Sequence, residues 1–70
     1  MKTATISISY STRLDVGKYS VLTTATNGAR SGQRLYHTDR LDQARQYAHA
    51  GVKSGEKAGF TVTLTDRITD

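Results

Sequence analysis

The sequence predicts an α+β domain in which one helix packs on one face of a four-stranded, mainly antiparallel sheet, in the order β-β-β-α-β. Three observations predict it. The chain opens and closes on runs of period-2 alternation, TATISISYS at 3–11 and FTVTLTDRI at 60–68. Between them lie β-branched and aromatic segments separated by a glycine-containing tip. A single stretch, TDRLDQARQYAHAGVKSG at 38–55, spaces its apolar residues by three and four.

In the first run Ala4, Ile6, Ile8 and Tyr10 share one face, and Thr3, Thr5, Ser7, Ser9 and Ser11 share the other. Residues 12–17, with Asp15 and Gly17, read as a turn. In KYSVLTTAT, residues 18–26, we place Tyr19, Val21, Thr23 and Ala25 inward and Leu22 on the open face. Asn27, Gly28, Ser31 and Gly32 bracket a hairpin tip, TNGARSGQ, where Gly and Asn supply positive φ. RLYHT, residues 34–38, returns as a short third strand with Leu35 and His37 on one side and Arg34 and Tyr36 on the other.

The helix is predicted to begin at an N-cap of Asp39 or Thr38, with Asp42 favouring the helix dipole in the first turn. Leu41, Ala44, Ala48, Gly51, Val52 and Gly55 form its buried stripe. These residues are mostly small, which lets the helix lie close to the sheet. Gly55 and Gly59 supply a stop and a flexible link. In the last strand Phe60, Val62 and Leu64 face inward and Thr61, Thr63, Thr65 and Arg67 outward. The final residues, Thr69 and Asp70, are expected to fray.

Seventy residues make one compact domain, 1–70, with a small core. With no cysteine, thiolate metal sites and thiol catalysis are excluded, and no cofactor is expected. The N-terminal run has no contiguous apolar block of the signal-peptide kind, and no segment approaches a membrane span, so the expectation is a cytoplasmic protein without a membrane partner.

Ten Lys and Arg against six Asp and Glu give a formal net charge of +4 and a pI near 9.8. That balance raises nucleic acid or a nucleoprotein as partner. Arg30 and Arg34 on the hairpin, Arg40 at the helix start, Tyr36 on the face of Arg34, and Tyr47 on the helix are the candidate binding residues. An arginine beside an aromatic ring suits a protein hot spot or a phosphate-and-base contact. The bland alternative is a solvated surface with incidental charge.

His37, His49, Glu56 and Arg34 contain the groups needed for acid-base RNA cleavage, although no spacing requires them to converge. A metal site would need a third ligand beside the histidines, and Asp39 and Asp42 serve better as helix caps. The hydroxyl-rich sheet face either reflects threonine's preference for strands or, with the sheet edge, offers a homodimer or strand-addition surface.

The layout of ISISY and KYSVLTTA, then LDQARQYAHAGV, then FTVTLTD, resembles small proteins of phages and mobile elements, above all anti-CRISPR proteins of the strand-strand-helix-strand type. The resemblance is one of size and element order and carries no residue roles. It implies a non-enzymatic, stoichiometric inhibitor that occupies a CRISPR effector where nucleic acid would bind. A small DNA- or RNA-binding protein is the alternative, and a small ribonuclease the third.

Overall fold

A computed structural model describes residues 2–11 and 17–68. The turn expected at 12–17, apart from Gly17, and the final pair Thr69 and Asp70 lie outside the described residues.

Five elements follow one another: β1 (Lys2–Tyr10), β2 (Tyr19–Asn27), β3 (Arg30–Thr38), α1 (Leu41–Lys57) and β4 (Thr61–Asp66). They form the α+β fold that the alternating runs predict, one helix against a four-stranded mixed sheet of order β3-β2-β1-β4. β1 pairs antiparallel with β2 and β2 with β3, while β4 lies parallel to β1.

The register sets the two faces. Ile8 stands opposite Val21, and Val21 opposite Tyr36, so the alternating sets of three strands meet on the helix side. Tyr19, Val21, Thr23 and Ala25 face the helix as expected, and Leu22 is exposed on the other side. Tyr10 shares the inward parity but is half exposed, packing its ring on Tyr19 at 5.8 Å.

The β2–β3 turn is tighter than the sequence suggests. Only Gly28 and Ala29 lie between the closing pair Asn27 and Arg30. Gly28 has φ of 64° and no described non-glycine residue has positive φ, the pattern of a type II′ turn. Ser31 and Gly32, expected in the tip, belong to β3, where Gly32 pairs with Ala25. One glycine suffices for the turn, so the third strand is nine residues long instead of five.

The helix start also differs. The N-cap is Arg40, with extended φ and ψ and no side-chain cap bond. Thr38 and Asp39 are engaged elsewhere: the Asp39 carboxylate accepts the Lys18 backbone N–H at 3.1 Å. The Thr38 hydroxyl accepts the Arg40 N–H and donates to Gln43 Oε1. At the other end Gly59, with φ of 91°, donates to the Glu56 carbonyl and Phe60 to the Gly55 carbonyl, a Schellman closure. Gly59 is therefore the stop, whereas Gly55 lies inside the helix. Phe60 is half-buried just before β4, beneath the Lys2 ammonium at 5.6 Å from its ring centre.

Small residues seat the helix. Ala44 and Ala48 are fully buried against Ile6, Ile8 and Val21. A Cβ on Gly51 would stand 3.0 Å from Ile6 Cδ1, and one on Gly55 2.7 Å from Val62 Cγ2. Replacing Gly55 by alanine gains up to ~1 kcal/mol of helix propensity but overpacks a β-branched neighbour, at a cost of about 1–3 kcal/mol. We expect Gly55→Ala to lower the urea midpoint. Gly32→Ala, where an added Cβ meets open space, should leave it unchanged or raise it slightly.

Candidate binding face

The sheet presents two different surfaces. The face away from the helix carries Thr3, Thr5, Ser7 and Ser9 from β1, Ser20, Thr24 and Thr26 from β2, and Thr61, Thr63 and Thr65 from β4, by the pairing register. Ser9 and Ser20 hydroxyls meet at 3.3 Å. Leu22 and Leu35 are cross-strand partners there and both are exposed, Leu35 at 58%. His37 lies on this face as well, its Nδ1 3.5 Å from Ser11 Oγ.

On the helix side the helix covers the sheet unevenly. It packs over the Val21 and Tyr36 end and covers the far half of the β2–β3 hairpin less, leaving Thr23 and Ala25 half-buried and Arg30, Gly32 and Arg34 exposed. A shallow trough runs along that less covered half. One hollow of about 280 Å³ lies between Thr23 and Arg34 on the sheet and Tyr47, Ala50, Gly51 and Ser54 on the helix. It shares Thr23 and Arg34 with a second of about 340 Å³, floored by Ala25 and Gly32. A third continues past Arg30 to Phe60. Among the described residues no carboxylate lines any of them.

Arg30 and Arg34 flank this trough from one strand, four residues or roughly 13 Å apart along an extended backbone. Among the described residues neither has a carboxylate partner. The Tyr36 and Tyr47 rings close the other end, stacked 4.2 Å apart at an interplanar angle of 6°. Both rings are partly buried against the core, so they act as a wall that joins helix to hairpin.

Arg40, grouped with these residues in the sequence reading, stands apart. It lies at the opposite end of β3 from Arg30, where both Nε and Nη2 donate to Asp42, at 3.3 and 3.1 Å. That pairing with the Arg40 guanidinium lowers the Asp42 carboxyl below its ordinary value. Arg45 is likewise occupied, its Nε 2.9 Å from Asp66 Oδ2. The Asp66 carboxyl is lowered first by the Ile68 backbone N–H and then by Arg45.

The constellation suggested for RNA cleavage is not assembled. His37 is on the open sheet face, Arg34 on the helix side, and His49 and Glu56 are exposed on the helix. Among the described residues no group of three or more His, Asp or Glu is placed to hold a metal ion. No described helix is long and apolar enough to cross a membrane.

Comparison with known proteins decides nothing further. No family model, curated protein or solved structure matches the chain. The face is therefore read from its own chemistry: a trough and two arginines that have no carboxylate beside them among the described residues.

The trough floor is not legible in the sequence, because it depends on register. Thr23, Ala25 and Gly32 are unremarkable singly, and become a floor only when the two-residue turn brings Gly32 opposite Ala25. The small residues at alternate positions of β2, facing a glycine, were the available signal.

The Asp66 contacts predict a pH effect. A carboxyl held below its ordinary value of 3.8 stabilises the fold above that value, and the contribution is lost as pH falls through the lowered one. Urea midpoints measured from about pH 6 to about pH 2.5 should therefore fall less steeply for Asp66→Asn than for the parent chain. The difference should be small, because both partners of the ion pair are partly solvated.

Proposed function

We propose that this chain is a non-enzymatic, stoichiometric binding protein that engages a protein or nucleoprotein through the hairpin side of the helix face. Arg30 and Arg34 are the contact residues and the Tyr36–Tyr47 stack is the support beneath them. The observation that carries this reading is the placement of two arginines on one face of one strand, beside a hollow with no described carboxylate in its lining. Arg40 and Arg45 are each matched by a carboxylate, whereas Arg30 and Arg34 have none among the described residues. Uncompensated charge beside a concave surface attracts an anionic partner and sets its orientation.

The resemblance in size and element order to anti-CRISPR proteins makes a CRISPR effector the first partner to try, with inhibition by occupancy as the mechanism. Titration against purified effectors should then give inhibition of DNA binding that saturates at a fixed stoichiometry. Replacing Arg30 and Arg34 together by alanine should weaken it about tenfold or more, of the order expected when two contact residues are lost. Arg40→Ala should change it by less than about twofold, as for a residue outside the contact. Unchanged inhibition by a folded Arg30/Arg34 double variant would refute the assignment.

The net positive charge also favours a second reading, a nucleic-acid binder using the same arginines on phosphates. Fluorescence anisotropy with duplex DNA and single-stranded RNA separates the two. Phosphate binding should collapse between roughly 50 and 200 mM salt, and a protein interface should not bind these probes.

A further inference from the structure

The open edge of β3 lies immediately beside Arg30 and Arg34. β3 is nine residues long, pairs among the described residues only with β2, and is the outermost strand of the described sheet. The direction of its backbone groups follows from the ladder. The Ser11 N–H donates to the Lys18 carbonyl at 2.9 Å, which makes the even-numbered residues of β2 bond toward β1. The odd-numbered residues of β2 then bond to Arg30, Gly32, Arg34, Tyr36 and Thr38. The two-residue turn closing at Asn27 and Arg30 gives the same phase. N–H and C=O groups of Ser31, Gln33, Leu35 and His37 are thus turned toward the open edge.

From this placement we propose that β3 accepts an extended acidic segment of a partner protein as a fifth strand. The proposal rests on the binding reading above and specifies its mode. Main-chain bonds to the four outward residues would supply affinity, and alternate side chains would supply selectivity. A partner residue opposite Arg34 and another opposite Arg30 lie on the same face, four residues apart, and carboxylates there would neutralise both guanidinium groups. Gly32 lies between them with open space where a Cβ would be, leaving room for a side chain over Ala25. On the other face a partner residue opposite Leu35 would lie beside the exposed Leu22–Leu35 pair, an apolar anchor. The acceptable segment therefore has acidic residues at i and i+4 and an apolar residue next to one of them.

Charge decides against the most obvious competitor, a second copy of this chain. Two β3 strands related by a two-fold axis through the sheet would bring both copies of Arg30 and Arg34 to the same side of one seam. Four cations would then share a surface lined by no described carboxylate. The same two arginines that discourage self-pairing favour an acidic strand.

The test is amide NMR on the full ¹⁵N-labelled chain with a nine-residue peptide of alternating threonine and valine that carries two glutamates four positions apart. A peptide with lysine at those two positions and a single-stranded DNA oligonucleotide are titrated beside it. At about nine-tenths occupancy the exposed fraction falls to one tenth, so exchange of the Ser31, Gln33, Leu35 and His37 amides should slow about tenfold. Amides already bonded to β2 should change little. The lysine peptide should produce no slowing, and Arg30→Ala with Arg34→Ala should abolish the effect of the glutamate peptide.

Absence of slowing at the four outward amides with millimolar glutamate peptide would overturn strand addition. So would equal slowing by the lysine peptide. Sedimentation showing a dimer of the free chain, together with slow exchange of these four amides before any peptide is added, would assign the edge to a second copy and overturn the proposal. If only the oligonucleotide binds, shifting Arg30 and Arg34 without slowing the outward amides, strand addition fails while the arginines keep their role as a binding site.

Discussion

The close seating of α1 on the sheet is the constraint on which the rest depends. Ala44 and Ala48 are buried to the last atom, and Gly51 and Gly55 bring the helix backbone within side-chain reach of Ile6 and Val62. The helix contributes little apolar volume of its own, so the contact must be tight for a small core to exclude water. Larger residues on that stripe would lift the helix and open the core over β1. The ion pair of Arg45 with Asp66 holds the same helix to β4, and the stack of Tyr47 on Tyr36 holds it to β3.

That seating also determines what is left uncovered. One 17-residue helix does not cover the whole of a four-stranded sheet. Its close packing over β1 and β4 leaves the inner face of Ala25, Asn27 and Gly32 as the trough floor. Charge follows the same division. Around the helix three acids are spent on neighbours, Asp39 on the Lys18 amide, Asp42 on Arg40 and Asp66 on Arg45. None of these three lies at the hairpin, where Arg30 and Arg34 have no carboxylate partner among the described residues.

Much of the fold was legible in the sequence because period-2 alternation is a direct image of a half-covered sheet. It placed Ile6, Ile8, Val21 and Val62 correctly, and the small stripe from Ala44 to Gly55 announced a helix lying close. Local signals failed where one residue type can serve two purposes. Gly28 and Gly32 look alike as punctuation, yet only Gly28 needs positive φ. Thr38 and Asp39 look like caps, yet their oxygens are engaged by Arg40, Gln43 and a distant loop amide. The candidate face was half legible. Arg30, Arg34, Tyr36 and Tyr47 border one trough, whereas Arg40 has its own carboxylate two residues on. The trough itself required the strand register, which no single segment encodes.

The most direct test of this account is a ¹³C-edited NOE spectrum of the free protein. Close seating predicts strong cross-peaks from the Gly51 Hα protons to the Ile6 δ-methyl group and from the Gly55 Hα protons to a Val62 γ-methyl group. Their absence, with the Ala44 and Ala48 methyls near random-coil shifts, would mean that the helix stands off the sheet, and the trough and its uncovered arginines would lose their structural basis.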